Sequence, residues 1–295
     1  MTNISQKIVF FGTESFSLTA LTGLIEAGYD IAAVVTKPDS KKGRGHQVIA
    51  PAVKVLAEKH NIPVWQPTKL KEISEDITAL QPVAGVLVSY GKIIPRSTID
   101  LFTPGIINVH PSLLPKYRGS SPIESVILNG DEKTGVTIMQ LSADMDAGPV
   151  YTAQEYPLTG SETQPELYQA LAAIGTDLLL EVLPRILAGD LQPSQQDDSQ
   201  ASYCQLLTKV DGQLNPGELT ATEAEHRVRA YLRFPRARLS VLGKDIIVIK
   251  AHVSHEKTTE LDILFKDGNY LSVDELIAPS GKTMSADAFL KGYLK

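Results

Sequence analysis

Cysteine is almost missing from this chain. One residue in 295, Cys204, carries a thiol. No disulfide framework can hold the fold and no cysteine-rich zinc site can form. Such usage suits a reducing, cytosolic compartment. Long apolar runs are missing too. The opening residues, MTNISQKIVFFGTESF, contain only the short run IVFF. That excludes the apolar core of a signal peptide, and no stretch reaches the length of a membrane-spanning helix. Positive charge is in deficit: 28 lysines and arginines face 34 aspartates and glutamates, a net charge of −6. The average surface therefore does not advertise a nucleic-acid partner. After the first strand-like run the turn reads FFGTESFS, with no G-x-G-x-x-G and so no ready phosphate cradle. No His, Cys and carboxylate cluster has metal-ligand spacing, and no metal is expected.

The composition that remains, 43% hydrophobic and 21% charged, is that of a soluble globular protein, over a length that favours two domains. Short apolar runs at Lys7–Gly12, Asp30–Thr36, Val83–Tyr90, Gly105–His110 and Gly135–Leu141 alternate with helical spacing at Ser15–Gly28 and Pro51–Asn61. Continuous apolar strands separated by helices predict a mostly parallel sheet covered on both faces. Leu167, Leu171, Ile174, Leu178, Val182 and Ile186 recur every three or four residues, predicting one long helix that closes this domain. The polar stretch AGDLQPSQQDDSQASYCQ reads as a linker. Beyond it, a short helix near Ala221–Tyr231 and several short strands predict a small β domain, a barrel of OB type. The expected division is 1–188, a linker at 189–205, and 206–295.

The charge deficit hides two basic tracts. Lys37, Lys41, Lys42, Arg44 and Lys54 face only Asp39, and RVRAYLRFPRAR holds five arginines with no acid. Local basic tracts on an acidic chain can bind phosphates while the rest limits non-specific binding.

Chemistry gathers at INVHPSLLPKYRG, Ile107–Gly119. Ligands of open α/β sheets bind at the carboxyl ends of strands. An imidazole there, His110, can carry a proton near neutral pH. An amide, Asn108, can donate to a developing oxyanion. The run SADMDAGPVY after the next strand offers Asp144 or Asp146 to orient the imidazole, if neighbouring strands end together. By residue type alone, a His at a strand end is more often a loop residue bonded to backbone, and DMDAG more often a plain turn. Arg118 reads either as an anion contact or as a structural pair.

The whole string N-V-H-P-S-L-L-P-K-Y-R-G, followed by D-M-D-A-G, resembles the signature of the folate-dependent formyltransferases. The resemblance implies a Rossmann-like formyltransferase domain, 10-formyltetrahydrofolate as formyl donor, and Asn108, His110 and Asp146 as the catalytic trio, since the family places the role on the aspartate two before the glycine. It implies direct transfer to an amine, with no covalent enzyme intermediate. Ser112, Leu113, Leu114 and Pro115 match the loop that lines the folate site, and two prolines lower the entropy lost on ordering it. Ser89, Tyr90 and Gly91 resemble a backbone edge that holds the pteridine.

The first turn, Thr36–Pro67 and the tail APSGKTMSADAFLKGYLK resemble the methionyl-tRNA branch of that family. This implies a methionyl initiator tRNA as partner, a role in translation initiation and a cytoplasmic location. The loop SKKGRGHQ, with Lys41, Lys42 and Arg44, would reach the acceptor stem. Arg229 and Arg233 are the candidates in the second basic tract. The chain departs from the family at Pro111, at Leu214-Asn215-Pro216 and at Phe234. Competing expectations are a formyltransferase for an amino sugar nucleotide, a formyltetrahydrofolate hydrolase, and a non-catalytic tRNA- or folate-binding protein.

Overall fold

The computed structural model describes residues 6–42 and 47–293. They form two compact units. One comprises residues up to Ser120, 134–156 and 168–203; the other comprises 121–133, 157–167 and 204–295. The principal helices are α1 (Phe16–Glu26), α2 (Ala52–Lys59), α3 (Pro122–Asn129), α4 (Gln164–Ala188), α5 (Ala221–Ala230) and α6 (Ala286–Tyr293).

In the first unit, β1 (Lys7–Gly12), β2 (Asp30–Val35), β3 (Val64–Trp65), β4 (Ala84–Val88), β5 (Ile106–His110), β6 (Lys133–Gln140) and β7 (Val150–Pro157) make a seven-stranded sheet in the order β7-β6-β5-β4-β1-β2-β3. Ile8, Val9, Phe10 and Phe11 of β1 are all fully buried, as a strand covered on both faces requires. Burial of each such side chain contributes about 1.5–3 kcal/mol. Helix α1 turns Phe16, Ala20, Leu21 and Leu24 inward and stops before Gly28, whose φ of +82° suits a helix C-terminus. Helix α4 crosses the strand that matters most. A Cβ on Gly175 would lie 2.8 Å from Val109 Cγ1, so only glycine lets the helix pack this closely on β5.

The sheet is mostly parallel: β1 pairs in parallel with β2 and β4, β4 with β5, and β2 with β3. One expectation fails. β6 runs antiparallel to β5, with Ile107 opposite Gln140 and His110 opposite Thr137. The two strands do not end together, and the aspartates that follow β6 start at the wrong end of β5. The chain returns by a hard turn after Gln140, whose N–H donates to the Pro149 carbonyl at 2.8 Å. A Cβ on Gly148 would overlap the Gln140 carbonyl oxygen, so the return depends on that glycine.

The polar stretch read as a linker lies along the first unit as far as Tyr203. Val150 and Ser194 exchange backbone hydrogen bonds of 2.7 and 2.8 Å. Gln196, Asp198 and Ser202 in this stretch bond other residues of the protein, and polarity alone could not show that. In the basic segment after β2, Ser40–Lys42 pairs antiparallel with Gln47–Ile49.

In the second unit, α3 starts with proline in its first turn and ends at Gly130, φ +64°. Helix α5 opens with a capping box: Thr220 Oγ1 accepts from Glu223 N at 3.1 Å, and Glu223 Oε2 accepts from Thr220 N at 2.7 Å. His226 Nδ1–H donates to the Leu128 carbonyl at 3.1 Å, joining α5 to α3. β8 (Arg238–Val241), β9 (Lys244–Ser254), β10 (Asp262–Leu264), β11 (Tyr270–Ile277) and β12 (Thr283–Ser285) form an antiparallel sheet in the order β8-β9-β11-β10, with β12 also on β11. Val228, Leu239, Ile246, Val248, Leu261, Leu271, Leu276 and Phe289 fill its core. The expected division at 188 and 206 differs from these units in two respects, the first being that residues 189–203 belong to the first unit. The second is that residues 121–133 and 157–167 pack with the C-terminal residues, because α3 finds its cover in α5.

Candidate active site

The parallel registers bring four strand ends to one edge. Phe11 pairs with Leu87 and Val35, and Leu87 with Asn108. Thr13, Thr36, Ser89 and His110 therefore follow or end strands side by side, where open α/β sheets bind ligands. The turns are tied together. Thr13 N and Glu14 N donate to the Ser89 carbonyl at 3.2 and 3.3 Å, and Thr13 Oγ1 donates to the Tyr90 carbonyl at 2.9 Å. Ser89 is held at φ +46°.

Asn108 and His110 sit on β5 at 4% and 5% exposure. Among the described residues, none hydrogen-bonds the Asn108 side-chain amide. The amide atoms are not fully buried, so a ligand can reach them and complete their hydrogen bonds. His110 Nε2 lies 3.0 Å from the Tyr117 carbonyl, which can only accept, so Nε2 carries the hydrogen. Nδ1 then faces Asp146 Oδ2 at 3.7 Å. That is longer than a hydrogen bond and close enough for charge to act on charge. Asp146 itself is anchored by Gly119 N–H, which donates to Oδ2 at 2.8 Å. Of the two rival carboxylates, Asp146 is the one beside His110. Asp144 is exposed, with its carbonyl accepting from Ser142 Oγ at 2.9 Å.

The Ser112–Pro115 loop is pinned from β6. Thr137, opposite His110, donates through Oγ1 to the Ser112 carbonyl at 2.7 Å and accepts from Leu114 N at 3.1 Å. Ser112 is fully buried, and its hydroxyl donates to the Lys116 carbonyl at 2.7 Å. Leu113, Leu114 and Pro115 are half-buried. Tyr90 turns its ring into the core, edge-on to Phe11 at 5.8 Å, and burial pushes its hydroxyl up to about 12. Of Tyr90, only backbone is therefore offered at the edge.

Arg118 proves to be a structural pair. It is 2% exposed, donating to Asp198 Oδ1 at 2.7 Å and to Gln196 Oε1 at 2.8 Å. The second basic tract divides. Arg229 donates to Glu225 Oε1 at 2.7 Å and to the Glu162 carbonyl at 3.0 Å, whereas Arg233, Arg236 and Arg238 are exposed. Arg44 lies outside the described residues, and only the backbone of Lys41 and Lys42 is described. Sequence reasoning missed the roles of Tyr117, Gly119, Thr137 and Gln196 at this site. A positive φ at Gly119 was the one feature its residue type could have suggested. Among the described residues, no group of three His, Cys, Asp or Glu side chains is placed to hold a metal ion. No helix among them is long and apolar enough to cross a membrane.

An amide, an imidazole and a carboxylate thus gather at one end of the sheet, and residues 6–183 match the model of the Formyl transferase family, to which the chain belongs. It is similar to the methionyl-tRNA formyltransferase of Chloroflexus aurantiacus, with 37% identity over 97% of this chain and 96% of that one. The N-formyltransferase of Helicobacter canadensis, crystallised with folinic acid and dTDP-3-aminofucose, shares the fold at TM-score 0.69 and 20% identity, covering 92% of this chain and 99% of that one. HypX of Aquifex aeolicus, in complex with tetrahydrofolic acid, matches at TM-score 0.69 and 17% identity over 99% of this chain. The chain spans about half the length of HypX, 48%.

Proposed function

We propose that this chain transfers the formyl group of 10-formyltetrahydrofolate to the α-amino group of methionyl initiator tRNA, for the initiation of protein synthesis in the cytoplasm. The observation that carries the reading is the unpartnered Asn108 amide beside the His110–Asp146 contact, 3.7 Å long, at the sheet edge of a chain in this family. The amine lone pair attacks the formyl carbon and a C–N bond forms. The bond from that carbon to folate nitrogen breaks, the amine loses a proton, and the folate nitrogen gains one. Asn108 donates to the formyl oxygen as it gains charge, a contribution of about 10²–10³ in rate for one such donor. His110 supports the same charge. Asp146 holds His110 and helps remove the amine proton. Half-buried Leu113, Leu114 and Pro115 would form the apolar wall for the pteridine, with Ser112 bracing them and the Ser89–Gly91 backbone at its edge.

Transfer would fall to the first unit, which holds the residues around His110, and tRNA binding to the second, whose strands would form a barrel of OB type. Lys41, Lys42 and Arg44 would meet the acceptor stem, with Arg229 and Arg233 supporting it. The paired segments Ser40–Lys42 and Gln47–Ile49 favour this, because they issue from the end of β2 at the same sheet edge as His110.

The test is formyl transfer to charged methionyl initiator tRNA, with uncharged tRNA, water and an amino sugar nucleotide as comparison acceptors. Transfer to the charged tRNA alone is expected. Formate release without tRNA, or transfer to the sugar, would overturn the acceptor.

A further inference from the structure

Asp146 has φ +48°, in the left-handed region that few side chains adopt. Two residues outside its own turn bond it. Gly119 N–H reaches the carboxylate, and Gln196 reaches the backbone. Gln196 Nε2 donates to the carbonyls of Asp146, at 2.8 Å, and Gly148, at 2.7 Å. Its Oε1 accepts from Arg118 Nε at 3.1 Å and Nη2 at 2.8 Å. Carbonyls on one side and a guanidinium on the other leave the amide one orientation.

Arg118 is itself the middle of a three-residue segment that touches both members of the pair. The Tyr117 carbonyl accepts from His110 Nε2, and Gly119 N–H holds Asp146. Tyr117, at φ +60°, and Gly119, at φ +118°, also lie in the left-handed region. Ser202 secures this segment from the same strap, accepting Tyr117 N on its hydroxyl and Arg118 N on its carbonyl, both at 2.9 Å. Asp198 and Tyr203 hold the guanidinium at 2.7 and 3.2 Å. The strap thus fixes the imidazole's carbonyl partner, the carboxylate's N–H partner and the carboxylate's own backbone.

We propose that Gln196 is a positioning residue for formyl transfer: it sets the Asp146 carboxylate against His110, with Arg118 as its anchor. This rests on the reading of Asp146 as the partner of His110. Misplacing a reacting group by about 1 Å can cost about 100-fold in rate, and nothing else outside the turn bonds the Asp146 backbone among the described residues.

Gln196→Glu isolates the effect, because a carboxylate still accepts from Arg118 and has no N–H for the two carbonyls. In the full chain, kcat, both KM values, tetrahydrofolate binding and Tm are compared for the wild type, Gln196→Glu, Asp146→Asn and the double variant. Gln196→Glu is expected to lower kcat about 10- to 100-fold with KM values and folate binding little changed. Placed on Asp146→Asn it is expected to cost nothing more, since residues acting through one another are not additive. A wild-type kcat for Gln196→Glu, or an equal loss on both backgrounds, overturns the proposal. Wild-type turnover by Asp146→Asn overturns the parent reading instead. Should Gln196→Glu fail to fold, Asp198→Asn on the exposed side of Arg118 gives the same comparison: a few-fold loss of kcat on the wild-type background alone supports the proposal, and an equal loss on both removes it.

Discussion

The strand-end site and the arginine-rich stretch both stand out as dense runs of functional residue types, and they behave oppositely. Along β5, residues two apart share a face, so Asn108 and His110 emerge together, and one hydrogen-bonded segment collects Asp146 beside them. Along α5 each residue turns by about 100°. Arg229 is drawn to Glu225 and a backbone carbonyl, while Arg233, beyond the helix, is exposed. A strand end converts spacing into convergence; a helix scatters the same number of charges over different tasks.

Substitutions can break or sharpen that contrast. The largest effect is expected from Asn108→Ala, which removes the amide donor beside His110: kcat should fall about 10²–10³-fold, with tetrahydrofolate affinity nearly retained in a titration. Retained turnover would dissolve the convergence argument. Gly148→Ala strikes the return that brings Asp146 back along β5. A methyl group against the Gln140 carbonyl should cost about 1–3 kcal/mol in urea unfolding, with activity lost alongside.

In the arginine stretch, Arg233→Ala should weaken tRNA a few-fold and reduce the salt slope of binding by about one. Arg229→Ala should lower Tm as well, because it strips Glu225 of its partner. The smallest effect concerns pH. Burial alone would raise the Asp262 carboxyl, and hydrogen bonds from Ser272, Thr259 and Thr258 outweigh it, holding it at about 2 rather than the ordinary 3.8. Its contribution is therefore full above the ordinary value and fades as pH falls through about 2. The stability gap between wild type and Asp262→Asn should close over that window.

The strands of the first unit were legible because β1, β2, β4 and β5 are short, apolar and covered on both faces, and period alone marks them. The reversal of β6 was not, since an apolar run carries no direction. Asp146 was singled out by its place in a motif. Its route to His110 was inferred from strand ends that do not coincide, so the pairing was expected for a reason the structure does not keep. Gln196 was invisible. A polar residue amid Gly, Pro, Ser and Gln reads as solvated, and only the fold reveals that its partners are Arg118 and two carbonyls.

The interleaving of the two units has a consequence for how this chain can be cut and recombined. Helix α3 is encoded in the first half of the chain and takes its cover from α5, encoded about a hundred residues later. A gene truncated after the catalytic stretch would translate α3 with nothing to bury it against. The C-terminal portion is thus not a cassette that evolution or an engineer can lift out at one seam, and exchanging it between relatives means exchanging a stretch from the middle of the chain with it.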